Sequence, residues 1–156
     1  ATYKTNMSWL ENPARSFFTD EEDKEIVEAI RQAELHTSGE IRVHIENTFF
    51  GKNILRRATR IFRKLKMHET ELRNGVLIYF ALKNHKFAII ADQGINEKVP
   101  VGFFGGITGD MSNQFKEEKF KDGLVTAILE IGKQLSTFFP RAEDDKNELP
   151  DDISYS

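Results

Sequence analysis

Residues 74–94, NGVLIYFALKNHKFAIIADQG, hold two apolar runs joined by a short polar break, and the fold of this 156-residue chain is decided there. Residues 75–82 and 87–91 contain no charged side chain, so strands built from them need cover on both faces. Lys83, Asn84, His85 and Lys86 form the break, and Asn84 is expected to take the left-handed conformation of a tight turn. The stretch reads as a central β-hairpin.

Upstream, GEIRVHIE alternates Ile41, Val43 and Ile45 with Arg42, His44 and Glu46, which predicts a strand with one polar face, at a sheet edge or under a partly open face. Between it and the hairpin, Ile54, Ala58, Ile61 and Leu65 form a helical stripe widened by Phe62, running to about Met67 behind Gly51 and Asn53. Further upstream, Thr19 and Glu22 make a capping box for a helix over 20–36, whose stripe is Ile26, Ile30 and Ala33 with Gly39 as terminator. Downstream, 95–109 is interrupted by glycine. A third helix is expected from about Phe104 or later to Lys116, and a last one carries Phe120, Leu124, Ile128, Ile131, Leu135 and Phe138 on one face until Pro140 stops it.

A strand, a helix and a strand in succession imply a parallel crossover, and the hairpin then returns the chain to the edge where both parallel strands begin. Glu40, Asn74 and Asp92 should therefore share one edge. Helices alternating with strands predict an α/β fold, a three-layer α/β/α sandwich around a small mixed sheet.

The length fits one domain. Residues 1–18 read as an N-terminal extension whose Trp9, Leu10, Phe17 and Phe18 are expected to dock on the surface, 19–140 as the domain, and 141–156 as an acidic tail. That tail has six acidic residues against Arg141 and Lys146, few apolar ones and a proline, a composition expected to be mostly disordered. Cysteine is absent, which excludes thiolate metal sites and cysteine nucleophiles. With no apolar run long enough to span a bilayer and no signal-peptide pattern, the expectation is a soluble, cytoplasmic monomer. A net charge of −3 argues against a dedicated nucleic-acid binder.

SGEIRVHIE, MHETELRNGVLIYFALKNHKFAIIADQGIN and DMSNQFKEEKFKDGLVTAILEIGKQLSTFFP, in this order and spacing, resemble a TPM domain, with the likeness running from Phe17 into the NELPDDIS tail. The resemblance implies an α/β/α sandwich. It also implies functions that differ among members: calcium binding and acid phosphatase activity in plant forms, protein repair and receptor modulation in others.

A hard cation such as calcium takes six to eight oxygen ligands. Glu40, Asn74 and Asp92 on one edge, Asn96 and Glu97 just after the Asp92 turn, and Asp110 from the third helix are the candidate ligands, for Ca2+ first and Mg2+ second. The bland alternative is that such residues are solvated or cap backbone amides. The functional expectation is a cation-binding domain serving as a binding or accessory module for a protein partner. The alternative is a metal-dependent acid phosphatase, in which Arg42 or Arg73 would hold phosphate beside a metal-activated water. Recognisable phosphatase nucleophiles are missing: the chain has no Cys, no D-x-D and no R-H-G.

The second helix region carries Lys52, Arg56, Arg57, Arg60, Arg63, Lys64 and Lys66 with no acidic residue among them. Such a face suits an anionic surface, a peripheral membrane contact included, or simply solvent. His36, His44, His68 and His85 match no zinc spacing, and GFFGGITG lacks the G-K-[ST] ending of a phosphate loop.

Overall fold

Thr19 opens the first regular helix, α1 (Asp20–Glu34): its hydroxyl accepts from Glu22 N–H at 3.1 Å, and the Glu22 carboxylate accepts from Thr19 N–H at 3.1 Å. Both bonds satisfy amides that a helix start leaves without partners. Removing the hydroxyl by Thr19→Ala is expected to cost about 1 kcal/mol. The check is a urea melt whose midpoint falls while its slope stays unchanged.

The computed structural model describes residues 13–142 and 147–156. After a 3-10 turn (Pro13–Ser16) and α1 come β1 (Glu40–Glu46), α2 (Ile54–Lys64), β2 (Gly75–Ala81), β3 (Lys86–Ala91), α3 (Gln93–Lys98), α4 (Gly105–Lys116), α5 (Phe120–Phe138) and β4 (Ser154–Tyr155). The strands form one sheet in the order β3-β2-β1-β4, with β1 parallel to β2 and β4, and β2 antiparallel to β3.

Period-two alternation sends Ile41, Val43, Ile45, Val76 and Ile78 to one face, where they pack with Ile26 and Ile30 of α1, Met111 of α4 and Leu124, Ile128 and Leu135 of α5. Leu77, Tyr79 and Ala81 point to the other face and meet Ala58, Ile61 and Phe62 of α2. Two helical layers thus enclose one sheet, and β2 is buried along its whole length. This is the expected α/β sandwich. Among the described residues, no helix is long and apolar enough to cross a membrane.

Several local expectations are corrected. Strand β1 is an interior strand, and its polar residues Glu40, His44 and Glu46 are only 2%, 3% and 5% exposed. The reason is the acidic tail: its described part, 147–156, is ordered against the domain, with β4 completing the sheet, Leu149 buried and the Tyr155 hydroxyl donating to Asp23 at 2.9 Å. Strand β3 is the partly buried edge. His85, at φ 52, carries the left-handed turn conformation, while the Asn84 amide oxygen accepts from Thr48 Oγ1 and Phe49 N–H.

Helix α1 ends at Leu35 in right-handed backbone, so Gly39 is not its terminator. Its place is set by packing, where a Cβ would stand 3.0 Å from Leu135 Cδ1, a tight approach that a small shift of that methyl would relieve. The first part of the glycine-interrupted stretch is the short helix α3, which the flanking apolar pattern does not reveal. Phe18 is buried, and the Phe17 ring meets Phe18, Phe80 and Phe120 edge-on, as docking of the extension requires. Trp9 and Leu10 lie outside the described residues.

Candidate functional site

Chain direction brings three of the candidate ligands to one end of the sheet. Glu40 N–H donates to the Asn74 carbonyl at 3.2 Å, and Asp92 N–H donates to the Gly75 carbonyl at 3.0 Å, so the starts of β1 and β2 and the end of β3 adjoin. Their side chains fare differently.

Glu40 and Asn74 are 2% and 1% exposed, and each keeps one oxygen, Glu40 Oε2 and Asn74 Oδ1, without a hydrogen-bond partner. Orphaned buried oxygens are costly, on the order of 1–3 kcal/mol each. The rest of each side chain is engaged: Glu40 Oε1 accepts from Glu148 N–H at 2.5 Å, and Asn74 Nδ2 donates to Ser38 Oγ at 3.2 Å. Asp92, by contrast, has both oxygens committed. Arg73 donates to them at 2.7 and 2.9 Å, and Gln93 N–H adds a bond at 2.8 Å that caps α3. The same pairing occupies Arg73, whose backbone sits at φ 51.

Asn96 stays beside the end of β3, while Glu97 and Asp110 turn away from the pair. The Asn96 amide donates to the Ala91 carbonyl at 3.0 Å, and Glu97 is exposed on α3. Asp110 lines a cleft of about 220 Å3 between α4 and α5 with Gln114, Glu130 and Gln134, which no residue of the sheet end shares. Among the described residues, no group of three or more His, Cys, Asp or Glu side chains is arranged to hold a metal ion. Of the candidate ligands, Glu40 and Asn74 are thus the pair that combines burial with an oxygen left without a hydrogen-bond partner, and carboxylate and amide oxygens are the kind a hard cation takes.

Sequence reasoning missed the surroundings of Glu40. Glu34 is buried at the end of α1, and its Oε2 accepts from Ile41 N–H at 2.8 Å. Burial, with the charges of Glu40 and Asp151 nearby, pushes Glu34 up to about 9 despite the Ile41 bond. Burial also lifts Glu40, to about 7, reinforced by Glu148 and Asp151 of the tail. A signal for Glu34 was present, since it lies eight residues after Ile26 and four after Ile30 on the buried stripe.

At the other end of β1, Glu46 gathers a second polar group. Arg57 donates to it at 2.8 and 2.5 Å, Tyr79 Oη at 2.5 Å and Ser156 Oγ at 2.6 Å. The His44 ring stacks on Tyr79, with Nδ1 2.7 Å from Ser154 Oγ and Nε2 2.7 Å from Ser156 Oγ. Burial holds His44 down at about 4, so the ring is neutral at pH 7. These contacts fasten β4 onto β1. Arg42, in mid-strand, has a buried Nε without a partner, and burial lowers its pKa.

The TPM domain model matches residues 12–134 of this chain. The NMR structure of the BA42 protein from the psychrophilic bacterium Bizionia argentinensis is 45% identical and superposes with a TM-score of 0.85, covering 90% of this chain and 97% of that one. The N-terminal domain of a protein from P. gingivalis is 15% identical, with TM-score 0.66 and 80% of each chain covered. An N-terminal domain from Corynebacterium glutamicum is 8% identical with TM-score 0.60, covering 90% of this chain and 80% of that one, and these two show likeness of fold alone. No curated protein matches.

Proposed function

Because this chain belongs to the TPM domain family, we propose that it binds a divalent cation, calcium in the first place, at the sheet end formed by Glu40 and Asn74, and serves as an accessory module for a protein partner. The observation that carries the reading is the pair of buried oxygens, Glu40 Oε2 and Asn74 Oδ1, that have no hydrogen-bond donor. A cation supplies what both lack. Two protein side-chain oxygens leave the rest of the shell to water and carbonyls, so affinity is modest. The carboxylates of Glu148 and Asp151 add a negative field that a cation relieves. Support for a protein partner comes from the loop before α4, where Val101 is fully exposed beside the half-buried Phe103 and Phe104.

Calcium titration followed by amide NMR tests the reading. Shifts centred on Glu40, Asn74 and Glu148 are expected, with affinity at least tenfold weaker in Glu40→Gln. A response absent from those residues overturns it. Calcium should also displace protons, because the ligand form of Glu40 is the charged one. The raised values of Glu34 and Glu40 contribute stability that is full below 4.5 and is lost as pH rises through about 7 and 9. Calcium is therefore expected to raise the melting temperature more at pH 8 than at pH 5, which calorimetry at the two pH values checks.

A further inference from the structure

The outer face of α2 is an array of cations with no counter-charge. Lys52, Arg56, Arg60, Arg63, Lys64 and Lys66 are all exposed, and among the described residues none has a carboxylate within ion-pair distance; only Arg57 is paired, to Glu46. Arg56, Arg60 and Arg63 fall at helical spacings of four and three, directly opposite the buried Ala58, Ile61 and Phe62. An ordinary solvated helix intersperses both signs, whereas 52–66 contains no acidic residue at all. Helix α1, on the opposite layer, holds seven acidic residues against Lys24 and Arg31, so these two helices carry opposite charge on opposite faces of the sheet.

Beside these cations stand two apolar side chains that the fold leaves in water. Phe50, in the loop leading into α2, is 92% exposed, and Leu55, in its first turn, is 55% exposed. Neighbouring Phe49 and Ile54 pack into the α2 core, so the exposure of Phe50 and Leu55 is not a general looseness of the segment. Six cations flanked by an aromatic and an aliphatic side chain is the composition of a surface that attracts lipid phosphates and seats its apolar residues at the acyl boundary. A nucleic acid would use the cations and leave Leu55 idle, whereas a bilayer engages both kinds of side chain.

We propose that the α2 face, through Lys52, Arg56, Arg60, Arg63, Lys64 and Lys66 with Phe50 and Leu55, docks this domain peripherally on an anionic lipid bilayer. The surface is separate from the Glu40 and Asn74 pair, and docking does not require the cation.

Cosedimentation with phosphatidylcholine vesicles containing roughly one-third phosphatidylserine, at about 0.1 M salt with a chelator present, tests this. The full chain is expected to bind these vesicles and not pure phosphatidylcholine ones. The triple variant Arg56→Gln, Arg60→Gln, Arg63→Gln should bind about a hundredfold more weakly, at about fivefold per basic residue. Phe50→Ser with Leu55→Ser should lose several-fold more affinity than the cations alone explain, and leave binding that salt removes. All five positions are solvent-facing, so unchanged melting temperatures are expected. Equal binding to neutral vesicles overturns the proposal, as does binding that the chelator abolishes, which would mean bridging through the cation. Tighter binding to duplex DNA than to the anionic vesicles, unaffected by the serine pair, also overturns it.

Discussion

Gly94→Ala is expected to lower stability by about 3 kcal/mol or more, a cost at the upper end of what overpacking brings. A Cβ at this position would stand 2.1 Å from the Leu72 carbonyl oxygen and 2.6 Å from that of Arg73. Both are backbone atoms, so no side chain can swing away to make room. The same glycine donates its N–H to the Arg73 carbonyl at 2.9 Å, a bond that closes the loop before β2 onto α3. Alanine in place of glycine in a helix gains about 1 kcal/mol, which the clash and the strained bond outweigh. The effect extends to function, because Arg73, Asn74 and Asp92 all hang on this junction. The check is a denaturant melt with an amide spectrum: a drop in midpoint together with shifted Asn74 and Asp92 signals. A variant as stable as the parent sinks the argument.

Layers, strand order around the hairpin and the shared end of three strands could be read from the sequence because each follows from period and chain direction, which are local or topological properties. The Thr19 capping box and the stripe of α5 belong to the same class. What could not be read depends on contacts between distant segments. The alternation in β1 was visible, yet whether Glu40, His44 and Glu46 meet water is decided by residues 147–156, more than a hundred positions away. Composition marked that segment as unable to order itself, and it does not order alone: it borrows the free edge of β1, where Ile153 and Tyr155 find apolar neighbours. The candidate site was legible in the placement of Glu40, Asn74 and Asp92 and illegible in which oxygens remain free. Arg73 follows from no motif, and it takes both oxygens of Asp92.

Glu46→Leu is expected to destabilise the fold by about 3 kcal/mol, since removing one partner of a buried ion pair leaves the others exposed to the full cost of desolvation. The Tyr79 hydroxyl would be buried with its carboxylate partner gone, and Ser156 would lose the bond that holds the end of β4. Arg57, about a third exposed, can turn to solvent, which keeps the loss below that of a fully enclosed pair. Acid separates the charge from the packing. Burial alone would raise Glu46, but the bonds from Arg57, Ser156 and Tyr79 outweigh it and hold the carboxyl down at about 2, against 4.5 when unfolded. A depressed folded value contributes stability that is present above 4.5 and is lost as pH falls toward 2, on the order of 2 kcal/mol after screening at Arg57. Glu46→Gln should therefore differ from the parent by a constant amount above pH 5, and the gap should close below 4.5. His44 adds a loss of the same sign in a different window, between 6.5 and about 4, because the unfolded ring takes a proton that the buried one refuses. Glu34 and Glu40 act with the opposite sign above 4.5, so each variant is read as its difference from the parent: His44→Gln should change the curve between 6.5 and about 4 and leave the Glu46 limb intact. Melting temperatures of the three chains from pH 3 to 8 separate the two groups, and variant curves that run parallel to the parent's from 6.5 to 3 remove the account of how β4 is held.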